Sequence, residues 1–324
     1  MQFRRPPDST KYRWASSRLR TLLPQLGLHC RPSTCELISR SPTNWAVVYK
    51  IKTRSGTYAL RVSNRALSSI TQRIREGCVN RQLSRRHLAP HLIFSRAGEG
   101  ISLSAFVPTL VHDRHDCVSI ALFLRRLHSS RIAIHESLIA PKIDWSLRQI
   151  RRLASQTRKL EQLNEAGERF LYLQSRLEDD CEHPRFCHGD LNKGNLLRTP
   201  NGYRVVDFDH AYIGDTMFDV ATLCVALRLD RARVELLLDA YLGRAATNHE
   251  KTRLAKYREL AMLRYGVITA AHIDDVVEID HAGPQQLGEL QSFGYLGSFT
   301  PAQRNLELYR VSLAFLREAR AGWD

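Results

Sequence analysis

No run of eighteen or more apolar residues occurs in the 324-residue chain, so no membrane-crossing helix is expected. The stretch Met1 to Trp14 is basic and polar, with no apolar run behind it, unlike a secretory signal. Cysteine is sparse: seven are scattered at positions 30, 35, 78, 117, 181, 187 and 224, with no Cys-x-x-Cys pair. An odd, dispersed set fits reduced thiols and a cytoplasmic setting better than a disulfide framework. Lysine is scarcer than the formal charge of +15 suggests, because eight lysines leave 40 of the 48 basic residues to arginine. The pairs Arg4-Arg5, Arg85-Arg86, Arg125-Arg126 and Arg151-Arg152 are short and spread out, and no zinc-finger or RNA-binding signature accompanies them. The charge is therefore read as general surface charge, with a basic nucleic-acid or anionic-surface binding protein as an alternative. Internal repeats and low-complexity segments are also lacking, so organisation is read from local period.

Between Cys35 and Leu60 the pattern is strand-like: residues 45–51, a turn at Arg54-Ser55-Gly56-Thr57, then 58–62, a hairpin. Ile70, Ile74, Val79, Leu83 and Leu88 stand at roughly helical spacing, and Ala89-Pro90 closes that helix. Short strands are expected at 92–94 and 101–107, separated by Gly98 and Gly100. From Val111 the spacing turns helical, as at Val118, Ala121, Leu122, Leu124 and Leu127, ending at His128-Ser129-Ser130, and a long helical stretch is expected over 142–177. It is interrupted between Phe186 and Phe208 by short strands at 186–188, 195–197 and 203–208, and helices resume at Phe218. The expected outline is α+β: an N-terminal lobe, 1–108, with an antiparallel sheet plus one helix, and a larger, mostly helical C-terminal lobe, 109–324, joined at about 104–110.

Chemistry concentrates in His188-Gly189-Asp190-Leu191-Asn192-Lys193-Gly194-Asn195, followed by Val205-Val206-Asp207-Phe208-Asp209. Phosphoryl transfer needs a carboxylate beside the attacking hydroxyl and Mg²⁺ to neutralise charge on the phosphate oxygens. Asp190 and Asn195 have the Asp-x₄-Asn spacing of a kinase catalytic loop, and Asp207 ends a short apolar strand twelve residues after Asn195.

The two blocks together resemble the aminoglycoside phosphotransferase, choline kinase and thiamine kinase superfamily, although the usual His between Leu and Asn is absent. The run Val206 to Ala221 is similar to that family's metal-binding segment and following helix. The resemblance implies a bilobal protein-kinase-like fold and an ATP- and Mg²⁺-dependent small-molecule kinase. By it, Asp190 would be the base or substrate-orienting carboxylate, His188 would buttress the loop, and Asn195 and Asp207 would hold Mg²⁺. Arg61 would contact the ATP phosphates, Glu76 would pair with Arg61, and the backbone from Ser104 through Phe106 to Val107 would bind the adenine edge. Asp215 and Asp219 would be scaffold positions.

One segment departs from the pattern. Ser39 to Trp45, where a phosphate-covering loop is expected, contains no glycine, and Pro42 removes an amide donor. Ser41, Thr43 and Asn44 are the candidates left to serve there, and a catalytically silent nucleotide-binding scaffold is a further alternative. A protein kinase is disfavoured because no Ala-Pro-Glu follows Asp207. The net charge ranks a polycationic aminoglycoside low as the acceptor. Aromatics at Trp145, Tyr212, Tyr241, Tyr265, Phe293 and Tyr295 offer walls for a quaternary ammonium, and the acidic string 274–280 could attract a cation. Choline, ethanolamine, thiamine, a sugar or a lipid-linked hydroxyl stay open, as does the oligomeric state.

Overall fold

The structure, a computed structural model, describes residues 22–25, 35–40, 46–110, 116–134, 146–152, 161–273 and 300–321. These fall into two compact units: the described residues up to Thr109 with Arg204–Asp209, and the remainder from Leu110 to Tyr203 and from His210 onward.

In the first unit, strands β1 (Cys35–Arg40), β2 (Ala46–Lys52), β3 (Thr57–Ser63), β4 (Leu92–Arg96) and β5 (Ile101–Ala105) form one antiparallel sheet in the order β1-β2-β3-β5-β4. The β2–β3 hairpin turns where expected: Thr53 donates its N–H to the Gly56 carbonyl at 2.9 Å, and Ala46 to Lys52 pair with Ser63 to Thr57 without a register shift. Alternation along β3 sends Leu60 and Val62 into a core with Val47, Ile51 and Leu103, and turns Arg61 to the opposite face.

Helix α1 (Ile70–Arg85) follows β3. A capping box starts it, with Gln72 N–H on Ser69 Oγ at 3.1 Å and Ser69 N–H on Gln72 Oε1 at 2.9 Å. It stops short of Leu88 because His87 turns left-handed, φ 56°. The expected apolar face is split. At about 100° per residue, Val79 and Leu83 lie about 180° round from Ile70 and Ile74. Val79 and Leu83 are fully buried, whereas Ile70 and Ile74 are 53% and 50% exposed.

The second unit is built on helices α2 (Cys117–His128), α3 (Glu161–Asp179), α4 (Met217–Ala226), α5 (Arg231–Leu242), α6 (Asn248–Ala270) and α7 (Pro301–Ala321). Of four short strands, β6 (Arg185–Cys187) pairs antiparallel with β9 (Tyr212–Gly214), and β7 (Leu196–Thr199) pairs with β8 (Gly202–Val205). Strand β9 gave no sequence signal, since three residues are too few for a period of two. Helix α4 is buried from Met217 to Val225 and apolar all round except at Asp219 and Thr222. Helix α6 starts in a Thr247/Glu250 capping box and packs on α3, α4 and α7, so polar side chains from its middle turns enter the interior. Among the described residues no helix is long and apolar enough to cross a membrane.

Candidate active site

In the first unit the strand period delivers Arg61 to α1. Arg61 Nε lies 3.1 Å from Glu76 Oε1, and Arg61 Nη2 lies 3.2 Å from Asp207 Oδ1. Burial works against the charged guanidinium, but Asp207, Glu76 and Asp209 outweigh it and push the Arg61 pKa above its ordinary value. Asp207 sits just beyond β8, anchored where Val205 donates its N–H to the Leu88 carbonyl at 2.9 Å. Its backbone is left-handed, φ 69°, a conformation that aspartate tolerates better than most residues and that clusters at functional sites. Arg75, next to Glu76 on α1, donates Nη2–H to the Asp209 carbonyl at 2.6 Å and so ties the helix to the Asp207–Asp209 segment.

In the second unit the loop His188–Asn195 leaves β6 and is held from below by Asp219 of α4. Asp219 is fully buried: its Oδ2 accepts the His188 N–H at 2.6 Å and its Oδ1 the Gly189 N–H at 2.8 Å. His128 Nε2 at the end of α2 lies 3.1 Å from the same Oδ2, and its Nδ1 lies 2.9 Å from the Tyr241 hydroxyl. Burial alone would raise the Asp219 pKa, but the bonds to His128 and to the His188 backbone hold it below the usual carboxylate range. Gly189 is left-handed, φ 78°, and a Cβ there would stand 2.3 Å from the His210 carbonyl oxygen, so glycine is required.

Asp190 follows Gly189. Its N–H donates to His188 Nδ1 at 3.3 Å, which makes the His188 ring a prop for the loop. Its Oδ2 accepts from Asn192 Nδ2 and Asn195 Nδ2, each at 3.1 Å, and its carbonyl accepts Asn195 Nδ2–H at 2.9 Å. The Asn195 amide nitrogen is thus committed to Asp190, which presents its amide oxygen as the atom suited to a hard cation.

Arg264 of α6 was missed by motif reading. It is 4% exposed, donates Nη1–H to the Gly189 carbonyl at 2.7 Å and lies 3.9 Å from Asp190 Oδ1. Its Nη2 donates to His210 Nδ1 at 3.2 Å. The available signal was a lone arginine in the apolar helical run Ala261-Met262-Leu263-Arg264-Tyr265-Gly266-Val267. Neighbouring Tyr265 stacks on Phe315 at 5.3 Å, and its buried hydroxyl has no hydrogen-bond partner among the described residues. Burial, then Asp190, raises its pKa.

Among the remaining expected positions, Ser104 lies inside the sheet, opposite Ala59 on one side and Leu92 on the other. Phe106 donates its N–H to the Thr57 carbonyl at 3.0 Å, and Lys50 Nζ sits 4.6 Å from its ring centre. Ser41, Thr43, Asn44, Trp145, Phe293, Tyr295 and the acidic string 274–280 lie outside the described residues. Tyr212 and Tyr241 are packing and hydrogen-bonding residues: Tyr212 is buried against Phe218, and Tyr241 donates to Thr216 Oγ1 at 2.8 Å. Asp215 accepts the Met217 N–H at 2.9 Å and the Tyr257 hydroxyl at 2.7 Å, and it pairs with Arg253 at 2.5 Å. Asp215 therefore fastens the start of α4 to α6.

The profile of the APH phosphotransferase enzyme family matches residues 40–260, and the chain belongs to that family. No curated protein matches it in sequence. Among solved structures it is similar to a choline/ethanolamine kinase family protein from Mesorhizobium loti, with a TM-score of 0.64 and 16% identity over 94% of this chain and 99% of that one. It is similar to choline kinase LicA from Streptococcus pneumoniae with a TM-score of 0.63 and 16% identity over the same 94% and 99%. A ternary complex of streptomycin, ATP and APH(2")-IIa matches with a TM-score of 0.56 and 16% identity over 81% of this chain and 92% of that one. The fold is thus protein-kinase-like, with a five-stranded antiparallel sheet in the N-terminal region and a mostly helical remainder, as expected from the sequence.

Proposed function

We propose that the protein transfers the γ-phosphoryl group of ATP, with Mg²⁺, to a hydroxyl of a small molecule such as a choline-, ethanolamine- or thiamine-like amino alcohol or a sugar. The observation that carries this reading is the Asp190 carboxylate, which two asparagine amides orient on a loop whose backbone is fixed at His188 and Gly189. A carboxylate so held suits a base that must meet one hydroxyl in one geometry. The acceptor oxygen attacks the γ-phosphorus, the bond from that phosphorus to the β–γ bridging oxygen breaks, ADP leaves, and the hydroxyl proton passes to Asp190.

The donor chemistry fits Mg²⁺. Asn195 of the second unit and Asp207 of the first are the residues that would hold it, each offering an oxygen suited to a hard cation. Few protein oxygens combined with substrate phosphates is the usual mode for Mg²⁺. When bound, the ion would neutralise charge on the phosphate oxygens. Arg61, fixed by Glu76, is suited to the phosphates, and the backbone of residues 104–107 is proposed to meet the adenine edge.

The test is a Mg²⁺-dependent ATP-consumption screen of the wild type and Asp190→Ala against choline, ethanolamine, thiamine, sugars and aminoglycosides. Turnover with one compound, lost in the variant and on chelation, supports the proposal. ATP binding with no turnover across the panel points instead to a silent nucleotide-binding scaffold.

A further inference from the structure

We propose that Arg264 is a positioning residue for the transfer reaction, fixing the Gly189–Asp190 peptide and the carboxylate beyond it. The inference rests on the phosphotransferase reading of Asp190.

A guanidinium with almost no solvent contact is costly unless its donors are satisfied in place. Those of Arg264 are aimed at the loop: Nη1 donates to the Gly189 carbonyl at 2.7 Å and stands 3.9 Å from Asp190 Oδ1, while Nη2 donates to His210 Nδ1 at 3.2 Å. The Phe218 ring lies 5.5 Å beneath the guanidinium carbon. Gly189 is consequently gripped at both polar atoms, its N–H by Asp219 and its carbonyl by Arg264.

That carbonyl belongs to the peptide bond that leads into Asp190, so fixing it fixes the direction in which the Asp190 side chain leaves the backbone. At the carboxylate, Asn192 and Asn195 hold Oδ2 while Arg264 faces Oδ1. The Asp190 carboxylate thus has a guanidinium of opposite charge beside it. A planar fork reaches the carbonyl, the imidazole and the carboxylate side together; an ammonium at the same position cannot.

The test uses full-length Arg264→Met and Arg264→Lys, with amide hydrogen exchange read over peptides covering residues 187–196 and, as a reference, over α2 and α5. The expected result for Arg264→Met is exchange about tenfold faster in 187–196 with the reference peptides unchanged. With an acceptor from the screen, kcat falls about 100-fold, the scale of a misplaced reacting group, while the KM for ATP stays within about threefold. Arg264→Lys recovers part of both, and it carries the comparison if the methionine variant does not fold. Unchanged exchange over 187–196, or an equal rise throughout the second unit, overturns the inference. Absence of wild-type turnover with every acceptor counts against the phosphotransfer reading alone, because the exchange comparison is decided without it.

Discussion

Asp219 holds Gly189 in place: the carboxylate lies under the loop and accepts the glycine N–H at 2.8 Å, thirty residues ahead in the chain. The same group takes the His188 N–H and pairs with His128, so three donors depend on one buried side chain. Asp219→Ala leaves those donors unpaired in the interior. The expected loss is about 3–5 kcal/mol of stability, the range for breaking a buried pair. It is read as a lower urea midpoint at constant m, and a loss below about 1 kcal/mol shows that the loop does not depend on this carboxylate.

The depressed pKa of Asp219 gives stability a pH dependence of known sign. A carboxylate whose folded pKa lies below its unfolded value of about 3.9 contributes stability above that pH and loses it as pH falls through the folded pKa. Urea unfolding of the wild type should therefore weaken below about pH 4, and Asp219→Asn should remove part of that slope. Parallel slopes for the two proteins assign the acid sensitivity to other carboxylates.

Gly189→Ala meets two obstacles, a left-handed backbone and the His210 carbonyl oxygen 2.3 Å from the new Cβ. Backbone and steric cost together are expected to exceed about 2 kcal/mol and to lower the melting temperature by several degrees. Gly202→Ala is the control: it shares a positive φ, 97°, but nothing lies within 4 Å of its Cβ. Equal losses in the two variants assign the effect to backbone conformation alone.

Tyr265→Phe runs the other way. The hydroxyl is buried with no hydrogen-bond partner among the described residues, so removing it removes a desolvation penalty while the stack on Phe315 stays. Stability is expected to be unchanged or to rise by about 1 kcal/mol in thermal unfolding. A clear loss reveals a bond to the hydroxyl.

Arg61→Met tests the first unit. On the proposed function, losing a charged contact of about 1.5–3 kcal/mol to phosphate raises the KM for ATP by about 10- to 100-fold. Glu76→Gln, which frees the guanidinium from its partner, should show a smaller rise, and an unchanged KM in both variants removes Arg61 from nucleotide binding.

Much of this protein is legible locally. The β2–β3 hairpin follows from two apolar runs around Arg54–Thr57, the α+β outline from the order of strand-like and helix-like segments, and the kinase-like fold from the resemblance carried by His188–Asn195 and Val206–Ala221. Asp190 and Asn195 stand out by spacing, and the hydrogen bonds that join them span five residues. The apolar face of α1 was misjudged because an offset of five between Ile74 and Val79 turns the helix to its other side, a shift that a count of apolar residues hides.

The sequence by itself determined the family, the element order and the composition of the His188–Asn195 loop, because period, capping and short-range hydrogen bonds act over a few residues. Tertiary structure alone decided what fixes that loop. Asp219 reaches it from α4, His128 reaches Asp219 across 91 residues, and Arg264 reaches Gly189 across 75. Buried polar groups must find partners wherever packing brings them, and no local rule of spacing records a bond closed only when α2, α4 and α6 pack around the loop.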